Sequence, residues 1–177
     1  MEKVPENVTR EVVGDDLPQG MERRLVHRLL AYWRGLQIED EFPSFAAIDP
    51  QEIPDIWGNT FVLEVVENES DPVFRALGDD IAGHYNVSLI GRRISEVPES
   101  SLVSVSVGYL DEVLKKGVPI SRGGDFIKDD GTEVLYRSIL LPMSDDGETI
   151  SGILGAANCR EVPRAFLRRQ RQSNEGI

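Results

Sequence analysis

The apolar positions of this chain change period along its length. From residue 21 they follow a helix. Met21, Leu25, Leu29, Trp33 and Leu36 share one stripe, Val26, Leu30 and Tyr32 widen it, and Arg23, Arg24, Arg28 and Arg34 fall between them. The spacing predicts a helix of about four turns. Its apolar face is too wide for a lone solvated helix, so it must pack on the rest of the chain or on a second copy. Asp49 and Glu52 then form a capping-box pattern around Pro50, predicting a short helix stopped around 54–58.

The period next drops to that of strands. Residues 59–66 and 73–77 are β-rich and separated by the polar turn 67–72, which predicts a hairpin. Short helical segments follow at 79–85 and 94–97. Residues 100–116 read as one longer helix, with Leu102, Val103, Val107, Leu110, Val113 and Leu114 on its face. Gly117 ends it, and Lys115 and Lys116 suit its C-terminal dipole. From 119 to 159 two Asp-Asp-Gly turns, 129–131 and 145–147, separate three strand-like runs. Asp-Gly supplies the positive φ of tight hairpins, so a three-stranded antiparallel meander is expected. Five antiparallel strands with helices grouped between the second and third make an α+β domain. Those helices must cross one face of the sheet, leaving a small cavity beneath them.

Composition narrows the setting. The chain has 177 residues and a net charge of -12, and 40% of its residues are hydrophobic, enough for one domain with a real core. The charge is uneven: residues 37–160 hold 23 acids against nine bases, whereas 161–177 hold four Arg against two Glu. Such an acidic domain repels nucleic acid and anionic membrane. No apolar run approaches the ~20 residues of a membrane span, and the N-terminus lacks a signal-peptide core, so a cytoplasmic location is expected. Residues 1–20 read as a flexible arm, 21–58 as an N-terminal helical extension, 59–160 as the domain, and 161–177 as a basic tail containing a short helix at 164–172.

Candidate chemistry is sparse. Cys159 is the single cysteine, and His27 and His84 are the two histidines. That set builds no structural zinc site, and no metal is expected. The acid pairs 79–80, 111–112, 129–130 and 145–146 sit at helix starts, on a helix side or in turns, where acids belong for structural reasons. No Gly-x-Ser-x-Gly elbow or phosphate-binding glycine loop is present, so no catalytic residue is assigned.

Several segments in order resemble a bacterial subgroup of single PAS-like domains with an N-terminal helix. They are Tyr32-Trp33-Arg34, Asp49-Pro50 with Ile53-Pro54, Arg75-Ala76-Leu77-Gly78, Gly83 with Gly91, and Leu141-Pro142-Met143-Ser144-Asp145-Asp146-Gly147. The resemblance spans about 21–160. It implies a PAS-like five-stranded antiparallel sheet with helices on one face plus an N-terminal helix, acting as a sensory or interaction module. A ligand would lie against Phe74, Ile81, Tyr85, Leu89, Leu110, Phe126, Tyr136 and Ile139, with Arg75 and Arg137 placed to fix an anion; equally, these side chains could simply fill the core. Leu25, Leu29, Trp33 and Leu36 would form a dimer or partner interface. With no kinase, cyclase or DNA-binding segment attached, output would pass through another protein.

The cofactor is left unknown. Flavin-binding relatives carry Asn-Cys-Arg before their last three strands, but Asn158-Cys159-Arg160 comes at the end of the last one, so flavin is not expected. Haem is not expected either, because the helix at 100–116 has no His and His84 reads as a capping or surface residue. The competing readings are a cup-shaped α+β enzyme of isomerase or hydratase type, which would need an inward acid on a strand, and a ligand-free interaction scaffold.

Overall fold

The computed structural model describes residues 24–39, 41–66 and 71–162. The expected arm, Met21, Arg23, most of the 67–72 turn and the basic segment at 164–172 lie outside those residues.

The stripe beginning in the twenties forms α1 (Arg24–Leu36). Three short 3-10 turns follow it, at Phe45–Ala47, Pro50–Glu52 and Trp57–Asn59. The Asp49 cap is real: its carboxylate accepts the Gln51 N–H at 2.9 Å. It opens a single 3-10 turn, however, where a short helix was expected. The Tyr32 hydroxyl accepts the Asp49 N–H at 2.9 Å and ties this segment to α1.

β1 (Thr60–Glu64) and β2 (Val73–Leu77) form the first hairpin. β3 (Ile120–Ile127), β4 (Glu133–Met143) and β5 (Gly152–Val162) form the meander. The predicted turn glycines both take positive φ, 86° at Gly131 and 82° at Gly147. Hairpin and meander become one sheet because β1 pairs antiparallel with β5, giving the order β2-β1-β5-β4-β3. Gly155 permits this junction. A Cβ there would stand 2.3 Å from the Phe61 ring, which lies across β5.

Between β2 and β3 run α2 (Asp79–Ala82), a 3-10 turn at Ile94–Glu96, α3 (Leu102–Ser106) and α4 (Leu110–Lys116). The single helix expected over 100–116 is therefore two. The chain leaves helical geometry at Val107, and Gly108 and Tyr109 bridge to α4. Val103, Val105, Val107, Ser104 and Ser106 are weak helix formers and Gly108 weaker still, so the break is inexpensive. The break leaves Tyr109 buried against the sheet.

The sheet carries a core on each face. On the inner face the segment from α2 to α4 buries Phe61, Leu63, Phe74, Ile81, Leu89, Leu110 and Val113 with their neighbours. On the outer face α1 buries Leu25, Val26, Leu29, Leu30 and Trp33 against Val62, Ile139, Leu141, Met143, Leu154 and Ala156. Strands covered on both sides lose polar alternation, as the unbroken burial from Arg137 to Ser144 shows. Trp33 fixes the helix, its indole N–H donating to the Pro142 carbonyl at 2.9 Å. Pro142 lies beyond the last β3–β4 pair, Ile120↔Leu140, where β4 keeps a neighbour on one side only and a missing N–H costs little.

Leu29→Ala should lower unfolding free energy by about 2–5 kcal/mol, and Trp33→Phe by about 1–3 kcal/mol through the unpaired carbonyl. Urea titration checks both. A loss under about 0.5 kcal/mol for Leu29→Ala would mean that α1 is not part of the cooperative unit.

The second turn also makes a pH prediction. Asp146 accepts from Ser144 Oγ and from the Glu148 and Thr149 N–H groups at 2.7–2.8 Å. These bonds, those to the backbone first, lower its pKa to about 2. Its folded value lies below its unfolded one, so its contribution is whole above about pH 4 and is lost as pH falls toward 2. Asp146→Asn should flatten the acid limb of a stability–pH curve in that window.

Candidate functional site

The inner face, where the sequence leads one to expect a ligand, separates into an apolar floor, a buried polar cluster and a half-open edge. Strand alternation decides which residues reach it. Phe74 points inward and is 1% exposed. Ile81 of α2, Leu89 in the following loop and Leu110 of α4 meet it in one buried cluster.

In the middle of this apolar layer sits a group of hydroxyls. The Tyr109 hydroxyl is 2.8 Å from Ser138 Oγ. Ser138 Oγ also lies 3.3 Å from the Ser106 carbonyl, and Ser121 Oγ donates to the Ser138 carbonyl at 2.9 Å. Ser106, Ser121 and Ser138 are fully buried and Tyr109 nearly so. The Ser106 hydroxyl has no hydrogen-bond partner among the described residues. The Arg122 guanidinium lies 5.3 Å from the Tyr109 ring centroid and pairs with Glu112 of α4. Burial pushes the Tyr109 phenol well above its ordinary pKa, so it stays neutral and acts as a hydrogen-bonding group. The cluster is thus a set of neutral hydroxyls inside the core.

At the edge, Tyr85, Phe126, Tyr136 and Cys159 are half-buried against the same core. Phe126 and Tyr136 face each other at 6.0 Å between ring centroids, tilted by 60°. The Tyr85 hydroxyl donates to Ser101 Oγ at 2.9 Å and accepts the Val103 N–H at 3.0 Å, so this side chain caps α3. His84 is held below its usual pKa by burial first and by Lys128 second. Burial raises the Cys159 thiol, which therefore stays protonated at neutral pH. Among the described residues no three His, Cys, Asp or Glu side chains come close enough to hold a metal.

Seven of the ten residues expected around a ligand meet on this face: Phe74, Ile81, Leu89 and Leu110 in the floor, Tyr85, Phe126 and Tyr136 at the edge. Three do not. Ile139 lies on the outer face under α1, because it is an odd number of residues from Tyr136 and the pleat turns it away. Arg75 follows inward-pointing Phe74 and so points outward. It stacks 4.8 Å from the Phe45 centroid and lies 3.5 Å from Glu64. Arg137, expected to alternate into reach of a ligand, is 1% exposed and shares the outer face with Ile139.

The four expected interface residues all lie on α1. Leu25, Leu29 and Trp33 are covered by the chain's own sheet, and of the four only Leu36 is left half-exposed. A partner reaches that stripe only if α1 leaves the sheet. Tyr109, Ser106, Ser121 and Ser138 escaped the sequence reading. The available signal was a serine at 138 inside an otherwise apolar strand, and another at 106 on the apolar face of a helix.

An open antiparallel sheet in the order 2-1-5-4-3, with small helices crossing one face between its second and third strands, defines the class of protein. The sequence agrees: residues 21–158 match a family model described as PAS domain, and the chain belongs to that family. No curated protein matches it significantly. Solved structures similar to it include the dark structure of the blue-light photoreceptor Aureochrome1 LOV, at 15% identity over 78% of this chain and 97% of that one, TM-score 0.45. The LOV domain from the Erythrobacter litoralis EL346 blue-light activated histidine kinase is 12% identical over 58% and 95%, TM-score 0.42. The PAS domain from Bordetella pertussis BvgS is 15% identical over 73% and 100%, TM-score 0.37. Likeness at this level carries no argument about function.

The Tyr109 phenol should not ionise in the folded protein. Its folded pKa lies above its unfolded one, so its contribution is whole below about pH 10 and is lost as pH rises further. Burial also raises Tyr32, Tyr85 and Tyr136, so absorbance at the phenolate band should rise further on alkaline unfolding, and Tyr109→Phe should shrink that rise by one tyrosine's worth.

Proposed function

We propose that this chain is a sensory or regulatory PAS module. In this reading a small ligand or protein partner acts on the inner face, and the response leaves through α1 on the outer face to a partner or a second copy. One observation carries the proposal. The strand that presents Ser138 to Tyr109 inside presents its next residue, Ile139, to α1 outside. A strand has little freedom to move one side chain without the next. The docking equilibrium of α1 is therefore the element that an event at the inner face biases.

Dimerisation enters through the same equilibrium. Docked, α1 hides Leu25, Leu29 and Trp33; undocked, it offers them to a second copy, while Ile38 just beyond the helix is already 74% exposed. The 21–58 segment is then the transmitting part and 59–160 the receiving part.

The coupling is measurable by amide hydrogen exchange. Ser138→Ala removes inner-face hydrogen bonds worth about 1 kcal/mol. It should speed exchange in α1, across the sheet, by about fivefold. Faster exchange confined to 102–116, with 24–36 unchanged, would refute the transmission route.

A further inference from the structure

The inner core is closed on its β2 side by chain that lies along a sheet edge. β2 is the end strand of the sheet there, and residues 86–96 run beside it. The Gly91 N–H donates to the Phe74 carbonyl at 2.8 Å, the Phe74 N–H to the Arg92 carbonyl at 2.9 Å, and the Ile94 N–H to the Pro72 carbonyl at 3.0 Å. Arg93 makes an isolated antiparallel bridge with Val73. This segment covers an edge that would otherwise invite pairing.

Its burial is uneven. Of residues 86–93 only Leu89 is buried, at 2% exposure, and it joins the inner cluster with Phe74, Ile81 and Leu102. Val87 and Ile90, close to it in sequence, are 53% and 50% exposed. One apolar plug, with backbone bonds at the rim of the sheet, describes a segment that opens before the domain does.

The two ends are fixed. Before the segment, the Tyr85 hydroxyl is bonded to Ser101 Oγ and to the Val103 N–H. After it, Val97 is buried. Between them stands a polar clasp at the surface: the Asp71 carboxylate accepts the Ser95 N–H at 2.9 Å and the Ser95 hydroxyl at 2.7 Å. The clasp touches the segment without entering the core, so it can be cut while the plug stays intact.

We propose that residues 86–96 form a strap that lifts as one unit between Tyr85 and Val97, and that this strap is the door to the inner face. Lifting breaks the three backbone bonds to the β2 side and the Asp71 clasp. It draws Leu89 out of the core and leaves a gap in the cluster that holds Phe74 and Ile81. As a route for a ligand the strap rests on the sensory reading; as a unit that opens alone it does not.

The test is amide exchange on the full-length chain. Phe74, Gly91 and Ile94 should share one protection factor, about tenfold or more below that of Gly78, whose N–H donates to the Thr60 carbonyl within the first hairpin. Asp71→Ala should lower the three together by about tenfold and leave Gly78 unchanged. In a Cys159→Ala background, Leu89→Cys should react with the small uncharged reagent methyl methanethiosulfonate, and adding Asp71→Ala should speed that reaction by the same factor. The proposal is overturned if Phe74 is protected as strongly as Gly78, if Asp71→Ala speeds all amides alike, or if the new thiol reacts only as fast as the whole domain unfolds. Should Leu89→Cys fail to fold, the exchange comparison decides alone. Exchange in α1 is a separate readout: its failure would sink the sensory route and leave the strap, and a strap that never lifts would leave the response of α1 standing.

Discussion

Everything in this domain depends on two strands being buried on both sides. β4 and β5 are the long members of the sheet, and each presents one set of side chains to the crossing helices and the alternate set to α1. Burial of a Leu, Ile or Phe side chain is worth about 1.5–3 kcal/mol, so neither layer is an ornament on the other. α1 covers Ile139, Leu141, Met143, Leu154 and Ala156 together with Ile53, Ile56 and the aromatic side chains of the segment after it. The indole–carbonyl bond from Trp33 to Pro142 adds direction to this contact, because it holds only when the helix sits at one height along the strand.

The two layers differ in chemistry. The outer one is apolar from Leu25 to Trp33 and becomes polar only at its end, where Arg24, Asp55 and Asn158 gather. The inner one has its polar atoms in the middle, as hydroxyls without charge. A neutral cluster inside a core is tolerable because each bond is made between groups that do not need ionic solvation. The break between α3 and α4 serves that layer by delivering Tyr109 to Ser138.

Much of this was legible in the chain alone. The two Asp-Asp-Gly turns announced the meander because positive φ at glycine is a local demand. The helical stripe from Leu25 to Trp33 announced α1, and its width announced that something must cover it. The five strands, their antiparallel sense and the crossing segment follow from such local patterns. What local pattern could not decide is which face each residue joins and what lies opposite. Chemistry alone suits Ile139, Arg75 and Arg137 to the inner face, but the pleat assigns faces and turns all three outward. The helix stripe was equally suited to a twin or to the chain's own sheet, and the open outer face of β4 and β5 settled it. Likewise only the tertiary structure shows that the split at Val107 leaves Tyr109 beside Ser138. Periodicity names a buried side, whereas only closure of the sheet through β1 and β5 determines its neighbour.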